Sequence, residues 1–295
     1  MDKKIKCYYN IMKVLEIPNG RLGNSLFRYF ASIILITEYN AKRIIYTREC
    51  YNCKTITIND GNYHELLNSI EKNPEIFSEI VIILDGYFQY DTYSEQHYRK
   101  KIIQYIKNNP NDIIYGTDLN RNLLCNTAQQ IMYEPKNIRK YDIVFHIRLE
   151  DFVDANLITH PNTLIKLINE ISLLIHAEHQ TIAPTAAIVC NKITTEFENK
   201  YIKYIYDNHN TPIQLQLENN DVITDFHIMK NASILVCSIS TLSWCAALLS
   251  ENVKTVYVPK NKTAGNQTFL RPIENTIIYE NDICSKNFLN SLLNA

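Results

Sequence analysis

Strand-like and helix-like segments alternate along the chain from end to end, and this alternation restricts the fold more than any other feature of the sequence. Short apolar runs predict strands at 13–17, 43–47, 79–86, 142–147, 186–190, 212–217, 233–238 and 254–259. Longer segments of helical character follow most of these runs, at 24–38, 94–109, 162–176, 241–251 and 281–295. Strands that alternate with helices are typical of parallel sheets covered by crossover helices, so the sequence predicts an α/β fold.

The length of the chain predicts two domains. A chain of 295 residues is longer than one hydrophobic core usually holds, and two domains of roughly 140 residues each are expected. The alternation of strands and helices restarts near residue 140, which puts the boundary at about 120 to 141. We therefore predict Rossmann-like domains at 1–140 and 141–295, with ligands bound in the cleft between them.

The charge balance and the cysteines exclude several classes of protein. Thirty basic and 31 acidic residues give a net charge of −1, so no polyanionic partner such as nucleic acid is expected. The N-terminus lacks the apolar stretch of a signal peptide and no run is long enough to span a membrane, which predicts a soluble, cytoplasmic protein. The eight cysteines are then expected to remain thiols, and Cys50 and Cys53 form a CxxC with no second ligand pair for zinc.

The stretch "VFHIRLEDF" at 144–152 is an apolar strand that ends in four ionisable side chains. Charged side chains are rarely buried without partners, so His146, Arg148 and Asp151 are expected at the lip of a cleft. Arginine can hold a pyrophosphate through two donors, which makes Arg148 a candidate phosphate ligand. The alternative is an ion pair between Arg148 and Asp151 at the end of the strand.

The stretch "GRLGNSLFRYF" at 20–30 joins the first strand to the first helix. Gly20 and Gly23 would allow a tight turn close to a ligand, and Arg21 and Asn24 could point from the start of the helix. The third glycine of a dinucleotide-binding fingerprint is absent, which disfavours a Rossmann oxidoreductase. A plain turn from strand to helix is the other interpretation of this stretch.

A third stretch, "SILVCSISTLSWCAALLSEN" at 233–252, places several hydroxyl groups at the start of an apolar helix. The backbone N–H groups and the dipole at such a start favour an anion, and Ser238, Ser240, Thr241 and Ser243 lie there. A helix cap would explain one of these hydroxyl groups but not all of them. No DxD stands at a strand end, so a metal-dependent sugar transfer is not expected.

Four stretches, in this order along the chain, resemble motifs of the α-1,2-fucosyltransferase family (glycosyltransferase family 11) and of related GT-B fucosyltransferases. "GRLGNSLFRYF" is similar to GGLGNQ(L/M)FQYA, and "LDGYFQYDTY" at 84–93 is similar to GYFQSxKYF. "HIRLEDF" is similar to HxRRGDY, and the stretch at 225–252 is similar to DxxLMSxCxHxIISNSSFSWWGAWLN. The resemblance extends from residue 13 to about 260, which is nearly the whole chain.

The resemblance implies a GT-B fold, with two Rossmann-like domains facing across a cleft, the acceptor side in 1–140 and the donor domain in 141–295. It implies an inverting fucosyltransferase of glycan biosynthesis, with GDP-fucose as donor, a glycan as acceptor and no metal or other cofactor. Arg148 matches the arginine that contacts the donor phosphates, and Asp151 is the favoured general base. The predicted donor-binding residues are His146, Asn24, Arg21, Gly20, Gly23, Asp225, Ser240, Thr241 and Ser243.

The chain departs from the family pattern at the HxRRGDY motif, whose second arginine and glycine are replaced by Leu149 and Glu150. Loss of a charge-assisted contact is worth roughly 1.5–3 kcal/mol, which leaves weaker donor binding or another nucleotide sugar open. A non-catalytic nucleotide- or glycan-binding protein of the same fold is the alternative from another functional class. Besides Asp151, the residues Glu150, Asp154 and Glu16 remain open as the general base.

Overall fold

The computed structural model describes residues 12–44, 54–118, 120–178, 184–261 and 271–293, and the Cys50–Cys53 pair lies outside these ranges. The chain divides into two compact units, unit 1 at Met1–Gln129 and unit 2 at Gln130–Ala295. The division lies inside the stretch predicted to contain the boundary, although before residue 140. No helix in the described part of the chain is long and apolar enough to cross a membrane.

Unit 1 is built on a four-stranded parallel sheet with the order β2-β1-β4-β3. Its strands are β1 (Lys13–Glu16), β2 (Lys42–Ile44), β3 (Lys54–Ile58) and β4 (Ile80–Leu84). Its helices are α1 (Leu22–Tyr39), α2 (Tyr63–Lys72) and α3 (Gln96–Asn108), with 3-10 turns at Pro74–Glu79 and Asp91–Ser94. An antiparallel hairpin of β5 (Ile113–Thr117) and β6 (Leu123–Thr127) follows, and the sequence had not predicted it.

The core of unit 1 forms where α1 and α2 pack on the sheet. Strand residues Val14, Ile82 and Leu84 lie in one apolar cluster with Ala31 and Leu35 of α1. A second, polar network is also buried: the Arg43 guanidinium donates to both carboxylate oxygens of Glu16, over 2.6 and 3.0 Å.

Helix α4 (Ala128–Met132) contains the division between the units. The ammonium group of the buried Lys230 donates to the carbonyl groups of Ile131 and Met132 over 3.1 and 2.6 Å. A cation is favourable at the C-terminal end of a helix. The C-terminal end of α4 is therefore held by Lys230.

Unit 2 is built on a six-stranded parallel sheet with the order β10-β9-β7-β11-β12-β13. Its strands are β7 (Ile143–Ile147), β9 (Ala186–Cys190), β10 (Leu215–Glu218), β11 (Ile234–Val236), β12 (Thr255–Asn261) and β13 (Thr276–Asn281). Its helices are α5 (Asp151–Asp154), α6 (Pro161–Glu178), α7 (Glu196–Asn208), α8 (Val222–Asn231), α9 (Thr241–Leu249) and α10 (Lys286–Leu293). Two short strands, β8 (Ile158–Thr159) and β14 (Ile283–Cys284), pair antiparallel.

Strand β7 is buried on both faces, as expected for a central strand of a parallel sheet. Ile143, Phe145 and Ile147 pack into the main apolar cluster with side chains of α6 and α7. Successive side chains of a strand point to opposite faces, so His146 faces away from this cluster. The two units, each with a parallel sheet and crossover helices, confirm the predicted α/β class, while the predicted cleft between domains stays a prediction.

Candidate functional site

The predicted residues of unit 2 meet at the carboxyl ends of its two central strands, β7 and β11. From β7 the chain moves outward through β9 to β10, then crosses back and moves the other way through β11, β12 and β13. This strand order is that of the Rossmann fold, and the connections diverge between β7 and β11. Open α/β sheets bind ligands at such a switch point, outside the carboxyl ends of the strands.

A buried hydrogen bond links the two central strands at this point. The Nδ1 atom of His146, near the end of β7, lies 2.8 Å from the Oγ atom of Ser238, which follows β11. Both side chains are buried. Buried polar side chains are stable when they are hydrogen-bonded, so this pair satisfies one ring nitrogen of His146 and fixes the orientation of the ring.

Arg148 lies one residue beyond β7 with its guanidinium at the edge of the site. It donates to both carboxylate oxygens of Asp151, over 3.3 and 2.9 Å, and to the Oγ atom of Ser240 over 3.4 Å. The guanidinium carbon also lies 4.5 Å from the centre of the Phe152 ring. The ion pair that the sequence left open is thus formed, and the same guanidinium reaches the start of α9.

Two of the four hydroxyl groups at the start of α9, those of Ser240 and Ser243, form hydrogen bonds within the start of the helix. Ser240 is the N-cap, and its Oγ atom accepts from the backbone N–H of Leu242 over 3.3 Å. The Oγ atom of Ser243 donates to the Ser240 carbonyl over 3.1 Å, while Thr241 is the first helical residue. The cap therefore explains the Ser240 hydroxyl group, which also accepts from Arg148.

The turn that follows β7, residues 148–152 and hereafter the β7 turn, is strained. Glu150 has a φ of 44° and a ψ of −115°, a conformation that favours glycine. Phe152 N–H donates to the Leu149 carbonyl over 2.9 Å, which closes the turn. Such strain costs roughly 1–3 kcal/mol and persists only where surrounding contacts hold it.

The buried Glu198 carboxylate of α7 supplies contacts that hold the β7 turn. It accepts from Glu150 N–H over 3.2 Å and from the backbone N–H groups of Thr194 and Thr195 over 2.8 and 3.0 Å. Burial raises the pKa of this carboxyl, but hydrogen bonds from Thr194, Thr195 and Glu150 outweigh burial and leave the pKa below its usual value. The Glu198 carboxylate therefore holds the β7 turn and the loop after β9 together.

The side chain of Leu149 is fully buried in the apolar cluster of unit 2. The family pattern has an arginine here, and the sequence suggested a lost ligand contact. In the structure Leu149 packs in the core, and weaker donor binding or another nucleotide sugar stays a prediction.

Asp225 lies in the first turn of α8 and is buried. One of its oxygens accepts from the backbone and side-chain amides of Asn220, both over 3.1 Å. Burial raises the pKa of Asp225 to about 7, against the hydrogen bonds of Asn220, and Asp221 and Glu218 raise it further. Asp225 thus changes its charge near neutral pH, which is unusual for a carboxyl group.

The predicted residues of unit 1 lie at the beginning of α1. Gly20 has a φ of 75°, so the turn needs a glycine there as expected. Arg21 is the N-cap residue, and the Oδ1 atom of Asn24 accepts from the Gln89 side chain over 3.4 Å. The prediction for Gly23 is wrong in one respect: this residue is buried inside α1, which begins at Leu22, so it does not form the turn.

The four candidates for the general base differ in their surroundings. Glu16 is held in the buried ion pair with Arg43 and also accepts from Ser32 Oγ over 2.6 Å, which commits it to the core of unit 1. The Asp154 side chain is 86% exposed and lies 3.9 Å from Lys286. Asp151 is 39% exposed beside Arg148, and Glu150 forms the strained turn. Asp151 and Glu150 are therefore the candidates that lie beside Arg148.

In the part of the chain that the structure describes, no group of three or more His, Cys, Asp or Glu side chains could hold a metal ion. Metal independence itself stays a prediction. The thiols of Cys190, Cys237 and Cys245 are buried, and burial raises the pKa of the Cys237 thiol to about 12. These described cysteines are thus packing residues, because a thiolate nucleophile requires a low pKa.

Sequence reasoning missed Glu198 and its neighbour Asn191, whose Oδ1 atom accepts from Leu149 N–H over 3.2 Å. The available signal was the T-x-x-E spacing of Thr195 and Glu198, which forms a capping box at the start of α7. That signal predicts the start of a helix. It does not indicate that the same carboxylate also reaches Glu150, 48 residues earlier in the chain.

No protein-family model matches the chain, and no curated protein matches its sequence. Among solved structures, the chain is similar to a mutant of Arabidopsis thaliana FUT1 in complex with GDP (TM-score 0.47, 10% identity, 86% of this chain and 71% of that chain). It is also similar to a glycosyl transferase family 9 protein from Veillonella parvula (TM-score 0.40, 8% identity, 96% and 91%). A third such structure is MurG from Acinetobacter baumannii (TM-score 0.32, 9% identity, 96% and 90%). These likenesses concern the general α/β fold and identify neither a donor nor an acceptor.

Proposed function

We propose that the protein is a glycosyltransferase that moves fucose from GDP-fucose to a glycan hydroxyl group, with inversion and without a metal ion. The observation that carries this proposal is the position of Arg148. Its guanidinium lies at the switch point of a Rossmann-like sheet, within hydrogen-bonding distance of the N-cap of α9. A guanidinium and a helix start together favour a bound phosphate.

The chemistry requires positive charge where the leaving group develops negative charge. The acceptor oxygen forms a bond to the anomeric carbon while the bond from that carbon to the phosphate oxygen breaks, and GDP departs with the electron pair. Arg148 would stabilise the departing phosphate and exchange part of its contact with Asp151 for the phosphate oxygens. A single displacement of this kind inverts the configuration at the anomeric carbon.

The acceptor hydroxyl must lose its proton during this step, and Asp151 is the base that we propose. A general base must lie within hydrogen-bonding distance of the proton that it removes. Asp151 is partly exposed beside Arg148, so one residue holds the phosphate while its neighbour accepts the proton. An in-line displacement needs the base and the phosphate ligand on opposite faces of the reacting carbon, so Asp151 would have to separate from the guanidinium of Arg148 when the donor and the acceptor bind.

The remaining donor contacts are proposed for His146, Asp225, Ser240, Thr241 and Ser243 in unit 2 and for Gly20, Arg21, Gly23 and Asn24 in unit 1. Asp225 suits a nucleobase in particular. An ionised carboxylate only accepts hydrogen bonds, and guanine offers N–H donors that uracil does not arrange in the same way. The family-level assignment to α-1,2-fucosyltransferases rests on the motif resemblance and is part of this proposal.

The alternatives are a donor other than GDP-fucose and binding without catalysis. Both are suggested by the replacement of the family's glycine by Glu150. The test begins with melting curves in GDP, UDP, GDP-fucose and UDP-galactose. Ligand at about 100 times its dissociation constant should add roughly 2.7 kcal/mol of stability. We expect this shift with GDP and GDP-fucose only, and equal shifts with UDP would overturn the guanine assignment.

Turnover distinguishes catalysis from binding. GDP release from GDP-fucose, measured with and without a glycan acceptor mixture, is expected to persist in excess EDTA. Loss of activity in EDTA and its recovery with Mn²⁺ would contradict the role given to Arg148. GDP binding without any GDP release would support the non-catalytic alternative.

A further inference from the structure

Unit 1 has its own surface at the carboxyl ends of its two central strands, β1 and β4. The loop that follows β1 contains Gly20 and leads into Asn24 of α1. The turn that follows β4, residues 85–89 and hereafter the β4 turn, contains Tyr87 and Gln89. Open α/β sheets bind ligands outside the carboxyl ends of their strands, so this surface is a candidate ligand site of unit 1.

The backbone of the β4 turn is held in a strained conformation. Phe88 has a φ of 52°, which is rare for an aromatic residue, and its side chain is fully buried. The Phe88 N–H donates to the Asp60 carboxylate, and the Tyr90 hydroxyl donates to the Asp60 carbonyl. Strained backbone persists where several contacts determine it, and it occurs preferentially at functional sites.

A buried arginine joins the β4 turn to the loop after β1. Arg28 of α1 is fully buried, and it donates to the carbonyl of Gly86 over 3.1 Å and to the carbonyl of Asn19. Its Nε atom has no hydrogen-bond partner among the described residues. A buried guanidinium is costly, so its use here indicates that the relative position of these two loops is important.

Three uncharged polar side chains, those of Tyr87, Gln89 and Asn24, lie on the β4 turn and at the beginning of α1. Tyr87 is 41% exposed, and the Gln89 side chain donates to the Oδ1 atom of Asn24 over 3.4 Å. A Cβ atom on Gly20 would lie 2.8 Å from Asn24 Nδ2 and 3.3 Å from Tyr87 Cε1. The loop can therefore approach Asn24 and Tyr87 this closely only because residue 20 is glycine.

We propose that Tyr87 and Gln89 form a subsite for a neutral saccharide, with Asn24 orienting the carboxamide of Gln89, and that the subsite binds the acceptor glycan. An aromatic ring offers a flat apolar surface to the C–H face of a pyranose. Carboxamides offer both donors and acceptors, which matches the hydroxyl groups of a sugar. The side chains of the subsite carry no charge, in contrast to those of the β7 turn. The identification of this saccharide as the acceptor rests on the proposed function.

The test measures saccharide binding by saturation-transfer NMR on the full chain, in the absence of any nucleotide. The probes are lactose, N-acetyllactosamine, cellobiose and maltose. We expect saturation transfer to at least one of them, a loss of at least tenfold in its affinity in Tyr87→Ala and a smaller loss in Gln89→Ala. Tyr87→Phe keeps the ring and should retain most of the binding, and Tyr133→Ala, which removes a tyrosine that is 51% exposed in unit 2, should change nothing.

The GDP-induced melting shift is recorded for each variant, so that failure of this subsite is distinct from failure of the proposed function. Tyr87→Ala with a normal GDP shift and lost saccharide binding supports the subsite. Saccharide binding in a protein that does not respond to GDP would keep the subsite but refute the proposed function. No saturation transfer from any probe, or equal binding by Tyr87→Ala and the unmodified protein, would overturn the subsite.

Discussion

The β7 turn of unit 2 and the β4 turn of unit 1 have the same kind of strained backbone but carry different side chains. Each follows a central strand of a parallel sheet and contains a residue other than glycine at positive φ, Glu150 in one and Phe88 in the other. In each, the N–H of that residue donates to a carboxylate from a different loop or helix. The shared design places neighbouring side chains at the carboxyl edge of the sheet with little freedom.

The difference lies in what each turn presents and what holds it. The β7 turn carries Arg148 and Asp151 and is held by the buried Glu198, whereas the β4 turn carries Tyr87 and is held by the exposed Asp60. Charged groups suit a phosphate and a proton transfer, and an uncharged ring suits a sugar. Under the two proposals, strained turns at equivalent positions would serve unlike ligands, and the flanking side chains would determine the chemistry.

The largest effect is expected at Arg148, which gives the β7 turn its proposed catalytic role. Arg148→Ala should lower kcat by roughly 10²–10³, and Arg148→Lys should remain badly impaired because it lacks the two-pronged geometry. The melting temperature should change little, because a partly exposed ion pair contributes at most about 1 kcal/mol. Lys260→Ala, which removes the exposed pair with Glu280, is the matched control. A stable Arg148→Ala variant with near-normal kcat would remove this residue from the mechanism.

The next effect concerns Asp225, the carboxyl of unit 2 whose pKa is raised to about 7 from an ordinary value of 3.8. Its folded pKa exceeds its unfolded pKa, so the folded state favours the protonated form and loses stability as the pH rises from about 4 to 7. This loss amounts to at most about 4 kcal/mol. Asp225→Asn cannot ionise, so its melting temperature relative to the unmodified protein should rise over that pH range. A difference that is constant with pH would refute the raised pKa.

A smaller effect on stability is expected for the two carboxylates that hold the turns, Glu198 and Asp60. Glu198→Gln introduces donors against the backbone N–H groups of Thr194 and Thr195 and should cost about 1–3 kcal/mol, whereas Asp60→Asn should cost less because Asp60 is exposed. Because the pKa of Glu198 is lowered, its contribution exists above the ordinary value of 4.5 and disappears as the pH falls through the folded pKa. The difference in melting temperature between Glu198→Gln and the unmodified protein should therefore become smaller in acid. Equal costs for the two substitutions at pH 7 would show that burial does not distinguish the two carboxylates.

The smallest effect is expected at Glu150, where two substitutions measure the backbone strain of the β7 turn. Glu150→Gly and Glu150→Ala both remove the carboxylate, but only glycine accepts a φ of 44° without strain. The glycine variant should be more stable than the alanine variant by about 1 kcal/mol, as measured by denaturant unfolding. Phe88 allows no such test, since its ring belongs to the core. Equal stability of the two Glu150 variants would mean that the β7 turn is not strained.

Sequence reasoning was most reliable where the local pattern and the tertiary role coincide. The buried run before Arg148 became β7, the ion pair with Asp151 had been foreseen as an alternative, and Ser240 became the cap of α9. It failed at the hairpin of β5 and β6, whose second strand is largely exposed and lacks a strong apolar pattern. The sequence also did not reveal that Leu149 faces the core, because a motif position does not show which way a side chain points.

The sequence by itself determined the α/β class, the identity of most strands and helices, and the stretches that end in polar residues. These features follow from periodicity and from short-range chemistry, which the order of residues contains directly. Only the tertiary structure decided that Glu198 holds the β7 turn, that Arg28 joins two loops beneath Tyr87 and that the pKa of Asp225 lies near 7. These properties depend on burial and on contacts between residues far apart in the chain, and neither quantity is readable from neighbours in sequence.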